Sequence, residues 1–197
     1  ILGQSLTDQG YQTGLVTPGR LVHVKAPVFS FSKLNRVDSL LGPEMKSTGE
    51  VMGSDVTMAK ALYKAFEAAK LHVPSHGNVL FTVRDDDKPE TVALARRFHA
   101  LGYQLLATHG TASALTEQGL PVTVVDKIDS GEHDLLHRME AGEVQVVINT
   151  VSDEEQAEND GTLIRNTSIM HGIPLFTALD TVAAILQVRE SQSFVTQ

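Results

Sequence analysis

From residue 78 onward, apolar runs and amphipathic stretches take turns. Residues 78–83 (NVLFTV), 103–108 (YQLLAT), 121–125 (PVTVV), 144–149 (VQVVIN) and 173–178 (IPLFTA) are short, nearly continuous apolar runs, as strands buried on both faces require. Residues 89–101, 111–118, 133–141, 161–171 and 180–188 follow them in turn with helical spacing. Pro89 falls in the first turn of its helix, and Gly102, Gly119, Gly142 and Gly172 stand where helices stop. Five such β-α units with short connections predict an α/β fold: a doubly wound five-stranded parallel sheet flanked by helices. Sheets of this kind bind ligands beyond the C-terminal ends of their strands.

The pattern before residue 78 is mixed. Residues 27–33 (PVFSFSK) alternate like a short strand, and residues 41–53 (LGPEMKSTGEVMG) read as an ordered loop. A helix is expected next, capped by Ser54 or Asp55, with Met58, Leu62, Phe66 and Ala69 on one face. Residues 72–77 read as a linker. The opening residues have the spacing of an amphipathic helix, and the chain starts at Ile1 rather than Met, as if cut from something longer.

Composition narrows the function classes. With 197 residues, 42% of them hydrophobic, the chain can bury a core without staples. It has no cysteine, which excludes disulfides, thiolate metal sites and a cysteine nucleophile, and fits a cytoplasmic location. The formal net charge of −8 disfavours a nucleic-acid partner, and no apolar run is long enough to span a membrane. A local basic pocket for one small phosphate is compatible with that charge.

The residues just after each strand form a coherent set. Thr108, His109, Gly110 and Thr111 lie between a strand and a helix. Gly110 lets successive backbone N–H groups turn toward one point, the following helix aims its positive end there, and two hydroxyls flank the turn. Lys88 and Lys127, after neighbouring strands, can supply charge; Asn149 and Thr150 add donors. A Thr-x-Gly-Thr turn alone also serves as a helix cap, and Asp85, Asp86 and Asp87 read as a solvated loop rather than a metal site. What favours an anion site is the gathering of these donors at one sheet edge. His109, with no partner acid or nucleophile evident in the sequence, is assigned a positional role, so no catalytic residue is expected.

LLGPEMKSTGEVMG (40–53), with PVFSFSKL and VDSLLGPEM, resembles the segment closing the second ATP-grasp half of the carbamoyl phosphate synthetase large subunit. LLATHGTASAL, VVDKI and VVINTVS then follow in the order of that enzyme's C-terminal, methylglyoxal-synthase-like allosteric domain. The resemblance implies three parts: residues 1–52 as the tail of the carbamoyl-phosphate domain, 53–76 as a connecting helix and linker, and 77–197 as the effector-binding domain. It implies phosphate contacts from Lys88, Thr108, Thr111, Lys127 and Asn149 to a nucleoside monophosphate such as UMP or IMP. It implies a parent ligase that uses ATP with Mg or Mn and a glutaminase small subunit, in arginine or pyrimidine biosynthesis, with homo-oligomers an open alternative. No nucleotide loop or metal ligands for that ligase fall in this chain, so the fragment alone is expected to be non-catalytic and to need no cofactor.

The chain also departs from the family pattern. Val151 stands where enterobacterial enzymes place a nucleotide-contacting threonine. Ala26 replaces the glutamate, and Leu175 the tyrosine, expected for ornithine control, although Thr177 is retained. Weak or absent ornithine control is expected. Two alternatives stay open. One is a methylglyoxal-synthase-type phosphate lyase, although residues 128–134 lack the Gly-Gly-Asp-Gln-Gln stretch that carries its catalytic aspartate. The other is a structural or oligomerisation module with an unused pocket.

Overall fold

The computed structural model describes residues 3–29, 47–126, 134–150 and 160–193. The opening amphipathic helix is not formed: residues 3–21 are turns and irregular backbone, exposed throughout. Gly10 and Gly14 take φ of 87° and 113°, a left-handed geometry that ends any right-handed helix, and Leu15 and Val16 have nothing to pack against.

The first regular elements are the antiparallel strands β1 (Val22–Val28) and β2 (Gly49–Asp55), paired from Val22↔Asp55 to Val28↔Gly49. In β1, Val22, Val24, Ala26 and Val28 are half-buried while His23, Lys25 and Pro27 face solvent, the two-residue period of a strand with one wet face. The strand expected at 27–33 therefore begins and ends earlier; residues 30–33 lie outside the described residues. The loop expected over 41–53 is corrected over residues 49–53, which are strand. Pairing with β1 overrides the poor strand propensity of Gly49, Glu50 and Gly53.

Helix α1 (Met58–Ala68) follows, capped by Thr57, whose hydroxyl accepts from the Lys60 N–H at 3.4 Å. Ser54 and Asp55, the expected caps, are in β2 instead. Asp55 holds Lys64 at 2.8 Å, and that hydrogen bond lowers its carboxyl below the usual range. The fully buried face is Ala61 and Ala65, not Met58, because the hairpin beneath approaches too closely for longer side chains. α1 packs on β1, on β2 and on the last helix.

The alternation from residue 78 becomes a five-stranded parallel sheet in the order β5-β4-β3-β6-β7. Its strands are β3 (Asn78–Thr82), β4 (Gln104–Thr108), β5 (Val122–Val125), β6 (Val146–Asn149) and β7 (Leu175–Phe176). The helices are α2 (Lys88–Ala100), α3 (His109–Glu117), α4 (Asp134–Glu140), α5 (Asp160–Met170) and α6 (Leu179–Ser193). Both faces are covered. Val79, Phe81 and Ile148 pack with α2, α3 and α6 residues, including Phe98, Leu115 and Leu186. Leu80, Leu106 and Val147 face the other way onto Leu135 and Met139 of α4 and Ile164 of α5. Phe98 meets Phe81 and Tyr103 edge to face, with centroids 6.0 and 5.2 Å apart. The Tyr103 hydroxyl donates to the Pro74 carbonyl, tying the segment after α1 to the sheet; burial pushes that phenol's pKa up, with nearby Arg189 pulling it down. Among the described residues no helix is long and apolar enough to cross a membrane.

The strand order places a switch point between β3 and β6. The chain leaves β3 toward β4 on one side and leaves β6 toward β7 on the other. The connections diverge there and open a crevice beyond the strand ends.

Candidate anion-binding site

A hollow of about 190 Å³ opens at that crevice. The end of β3 contributes Thr82, Val83, Arg84 and Asp85; the start of α2 gives Lys88. The β4–α3 turn adds Thr108, Gly110 and Thr111, and the end of β6 adds Asn149 and Thr150. Six residues expected to bind the anion thus share one cavity: Lys88, Thr108, Gly110, Thr111, Asn149 and Thr150.

Each side chain there has a local reason for its position. Thr108 takes extended backbone (φ −67°, ψ 154°) as the residue before α3, so the chain turns from strand to helix at the rim. Its hydroxyl does not cap the helix, which leaves it for other work. The Thr111 hydroxyl accepts from the Val83 N–H at 3.3 Å, and the Thr150 hydroxyl accepts from the Arg84 N–H at 3.0 Å. A hydroxyl that accepts still keeps its hydrogen to donate. Both threonines therefore pin the segment after β3 and retain a donor.

Asn149 is 2% exposed and used on both sides. Its Nδ2 donates to the Thr82 carbonyl at 3.3 Å, and its Oδ1 accepts from Arg165 at 2.7 Å. One amide N–H remains. Arg165 is 1% exposed and also donates to the Thr162 hydroxyl at 2.9 Å. It lies behind Asn149 and fixes which way that amide faces.

The electrostatics are mixed. Lys88 Nζ sits over the β4–α3 turn: a Cβ placed on Gly110 would be 3.2 Å from it. α3 and α5 both begin at the hollow, through Gly110 and through Asp160 and Gly161, and direct their positive ends toward it. Against this, Asp85 holds Lys88 at 2.6 Å, Asp87 holds Arg84 at 2.9 Å, and Asp160 lines the wall. Asp85–Asp87 form a 3-10 turn, and two of its three carboxylates pair with the neighbouring cations. Among the described residues no cluster of three or more His, Asp or Glu is placed to hold a metal ion.

One expected residue stands elsewhere. His109 does not line the hollow. It opens α3 on the outer side and meets a partner acid that sequence reading did not assign to it: Nε2 lies 2.8 Å from Asp126 Oδ1, with the two side chains 68% and 61% exposed. Lys127 and Val151 lie outside the described residues, as does the stretch from 128 to 133. Leu135, Asp160, Gly161 and Ile164 line the hollow without having been expected.

Residues 90–177 match the family model described as an MGS-like domain. That match begins in α2, two residues after Lys88, and runs to the end of β7. Similar solved structures include a methylglyoxal synthase from Elizabethkingia anophelis NUHP1. It is 19% identical, the alignment covers 58% of this chain and 79% of that chain, and the TM-score is 0.49. A protein named ForH is 20% identical over 60% of this chain and 82% of its own, with a TM-score of 0.42.

Proposed function

We propose that the MGS-like domain is a regulatory module of a carbamoyl phosphate synthetase large subunit, and that it binds a phosphorylated effector such as UMP or IMP. The observation that carries this reading is the meeting of Lys88, Thr108, Gly110, Thr111, Asn149 and Thr150 in one hollow at the switch point. The phosphate sits on the 108–111 turn, where backbone N–H groups, two hydroxyls and one ammonium serve it. Asn149 and Thr150 face the sugar side. By the same resemblance Lys127 is proposed as a further phosphate ligand.

The hollow itself supports binding rather than turnover: the 2.8 Å His109–Asp126 pair stands outside its lining. Residues 1–52 would then close the neighbouring ATP-grasp domain, whose ATP and Mg or Mn belong to the rest of the large subunit, with the glutaminase subunit as its further partner. An effector acts there only by preferring one arrangement of the two domains. α1 is the natural transmission element, because it touches both the β1–β2 hairpin and α6.

Calorimetric titration of the chain with UMP, IMP and inorganic phosphate tests this directly. Saturable binding is expected for at least one nucleotide, and Lys88→Ala should weaken it by about 10-fold or more, since a charge-assisted hydrogen bond is lost. No heat from any of the three at millimolar concentration rules the reading out. The exposed His109–Asp126 pair favours one second reading, a lyase acting on a triose phosphate, because it places a base and an acid beside the β4–α3 turn. Release of methylglyoxal from dihydroxyacetone phosphate would establish that activity instead.

A further inference from the structure

We propose that Asp85 is a tethered counter-anion: it competes with the incoming phosphate for Lys88, lowering the affinity of the hollow and filtering out singly charged anions. This rests on the phosphate reading above and deepens it.

The two partners are held very differently. Lys88 is 23% exposed and its ammonium stands over the Gly110 turn, where the anion would sit. Asp85 is 91% exposed and opens the 3-10 turn three residues earlier, with Oδ1 2.6 Å from Lys88 Nζ. Rotation of the Asp85 carboxylate toward water sacrifices almost no packing, whereas Lys88 stays where the fold has put it. The second cation of the rim does not relieve Lys88, because Arg84 Nε is engaged by Asp87 at 2.9 Å. The remaining acid of the wall, Asp160, lies at the start of α5.

Two states follow. With the hollow empty, Lys88 is neutralised by Asp85. With a phosphate bound, Lys88 stays in place and pairs with the anion while the Asp85 carboxylate swings out. A free carboxylate or chloride gains nothing by this exchange, since it replaces one negative charge with another. A phosphate dianion gains, because it carries two charges and also takes hydrogen bonds from the turn. An ion pair this exposed is weak, so the latch lowers phosphate affinity by a modest factor, about 3–10-fold, and does not close the site. The factor shrinks as salt screens the pair.

The test is calorimetric titration of inorganic phosphate at pH 8 into the full chain as wild type, Asp85→Asn, Asp86→Asn, Lys88→Ala and the Lys88→Ala/Asp85→Asn double variant. Asp85→Asn is expected to bind phosphate about 3–10-fold more tightly at low salt, with acetate now competing measurably. Asp86→Asn, the same charge change one residue along the turn, should alter affinity less than about 2-fold, as should Asp85→Asn in the Lys88→Ala background. Equal gains from Asp85→Asn and Asp86→Asn, or a gain that persists without Lys88, would mean bulk charge rather than a latch. A loss of affinity in Asp85→Asn would mean that the carboxylate contacts the ligand. If Lys88→Ala weakens phosphate binding while Asp85→Asn does nothing, only the latch falls. If neither wild type nor Asp85→Asn binds phosphate, the phosphate reading falls with it.

Discussion

Asn149→Ala is expected to destabilise the domain built on the five-stranded sheet by about 2–4 kcal/mol and to abolish measurable anion binding. The amide sits at the end of β6, 2% exposed, and answers the buried Arg165 and the half-buried Thr82 at once. Removing it takes from Arg165 an acceptor at 2.7 Å, and from the Thr82 carbonyl a donor at 3.3 Å. A hydrogen bond to a charged group contributes about 1.5–3 kcal/mol, and a neutral one about 0.5–1.5 kcal/mol. Asn149 and Arg165 are almost fully buried, so solvent replaces these bonds poorly. The binding loss has a separate cause. β3 and β6 are neighbours in register, with Thr82 opposite Asn149, and the amide bridges their ends. Without the bridge, the segment carrying Val83, Arg84 and Asp85 shifts relative to the 108–111 turn. Urea unfolding followed by circular dichroism measures the first effect, and phosphate titration of the folded variant measures the second. A loss below about 1 kcal/mol would show that the Asn149–Arg165 contact is incidental.

The same contact marks where sequence reading stops. The sheet was legible because its strands are continuous apolar runs and its helices end at glycines; β3, β4, β5 and β6 lie within two residues of their expected limits. Lys88, Thr108, Gly110, Thr111, Asn149 and Thr150 were legible because they follow strands, and in a parallel sheet all strand ends meet at one edge. Arg165 was not legible. It belongs to the middle of α5, on the same face as Ile164 and Ser168, and reaches Asn149 only because that helix packs over β6. A charged residue on a helix face otherwise bound for the core is the one sequence signal that could have exposed it. His109 was drawn into the site by its place in the Thr-His-Gly-Thr turn, but the first residue of a helix can face outward, and this one turns to Asp126. The β1–β2 hairpin failed for a different reason. Its partners are 20 or more residues apart, and the sequence GEVMGSD carries little strand propensity of its own, so only the pairing defines it.

Gly53→Ala, a single added methyl group, is expected to be the most disruptive small substitution in the N-terminal part, lowering stability there by about 3 kcal/mol or more. Gly53 is buried in β2, directly beneath α1. A Cβ at this position would overlap the Ala61 carbonyl oxygen and stand 2.5 Å from the Ala65 amide nitrogen and 3.1 Å from its Cα. All three atoms are backbone, so no side chain can swing aside to make room. Overpacking of a core usually costs about 1–3 kcal/mol because side chains and local backbone yield; here the whole helix has to lift. Lifting it opens the Ala61 and Ala65 face to water and loosens α1 from α6. The five-stranded sheet is expected to keep its core, because its fully buried residues, Phe81, Phe98, Tyr103 and Ile148, lie outside α1, which adds only the partly buried Phe66. Hydrogen exchange separates the two regions. Amides of β1, β2 and α1 should lose protection in Gly53→Ala, while those of β3, β4 and β6 keep theirs. Uniform loss across both regions would mean that hairpin, α1 and sheet unfold as one unit, and α1 would then be part of the domain's own core rather than the joint proposed above.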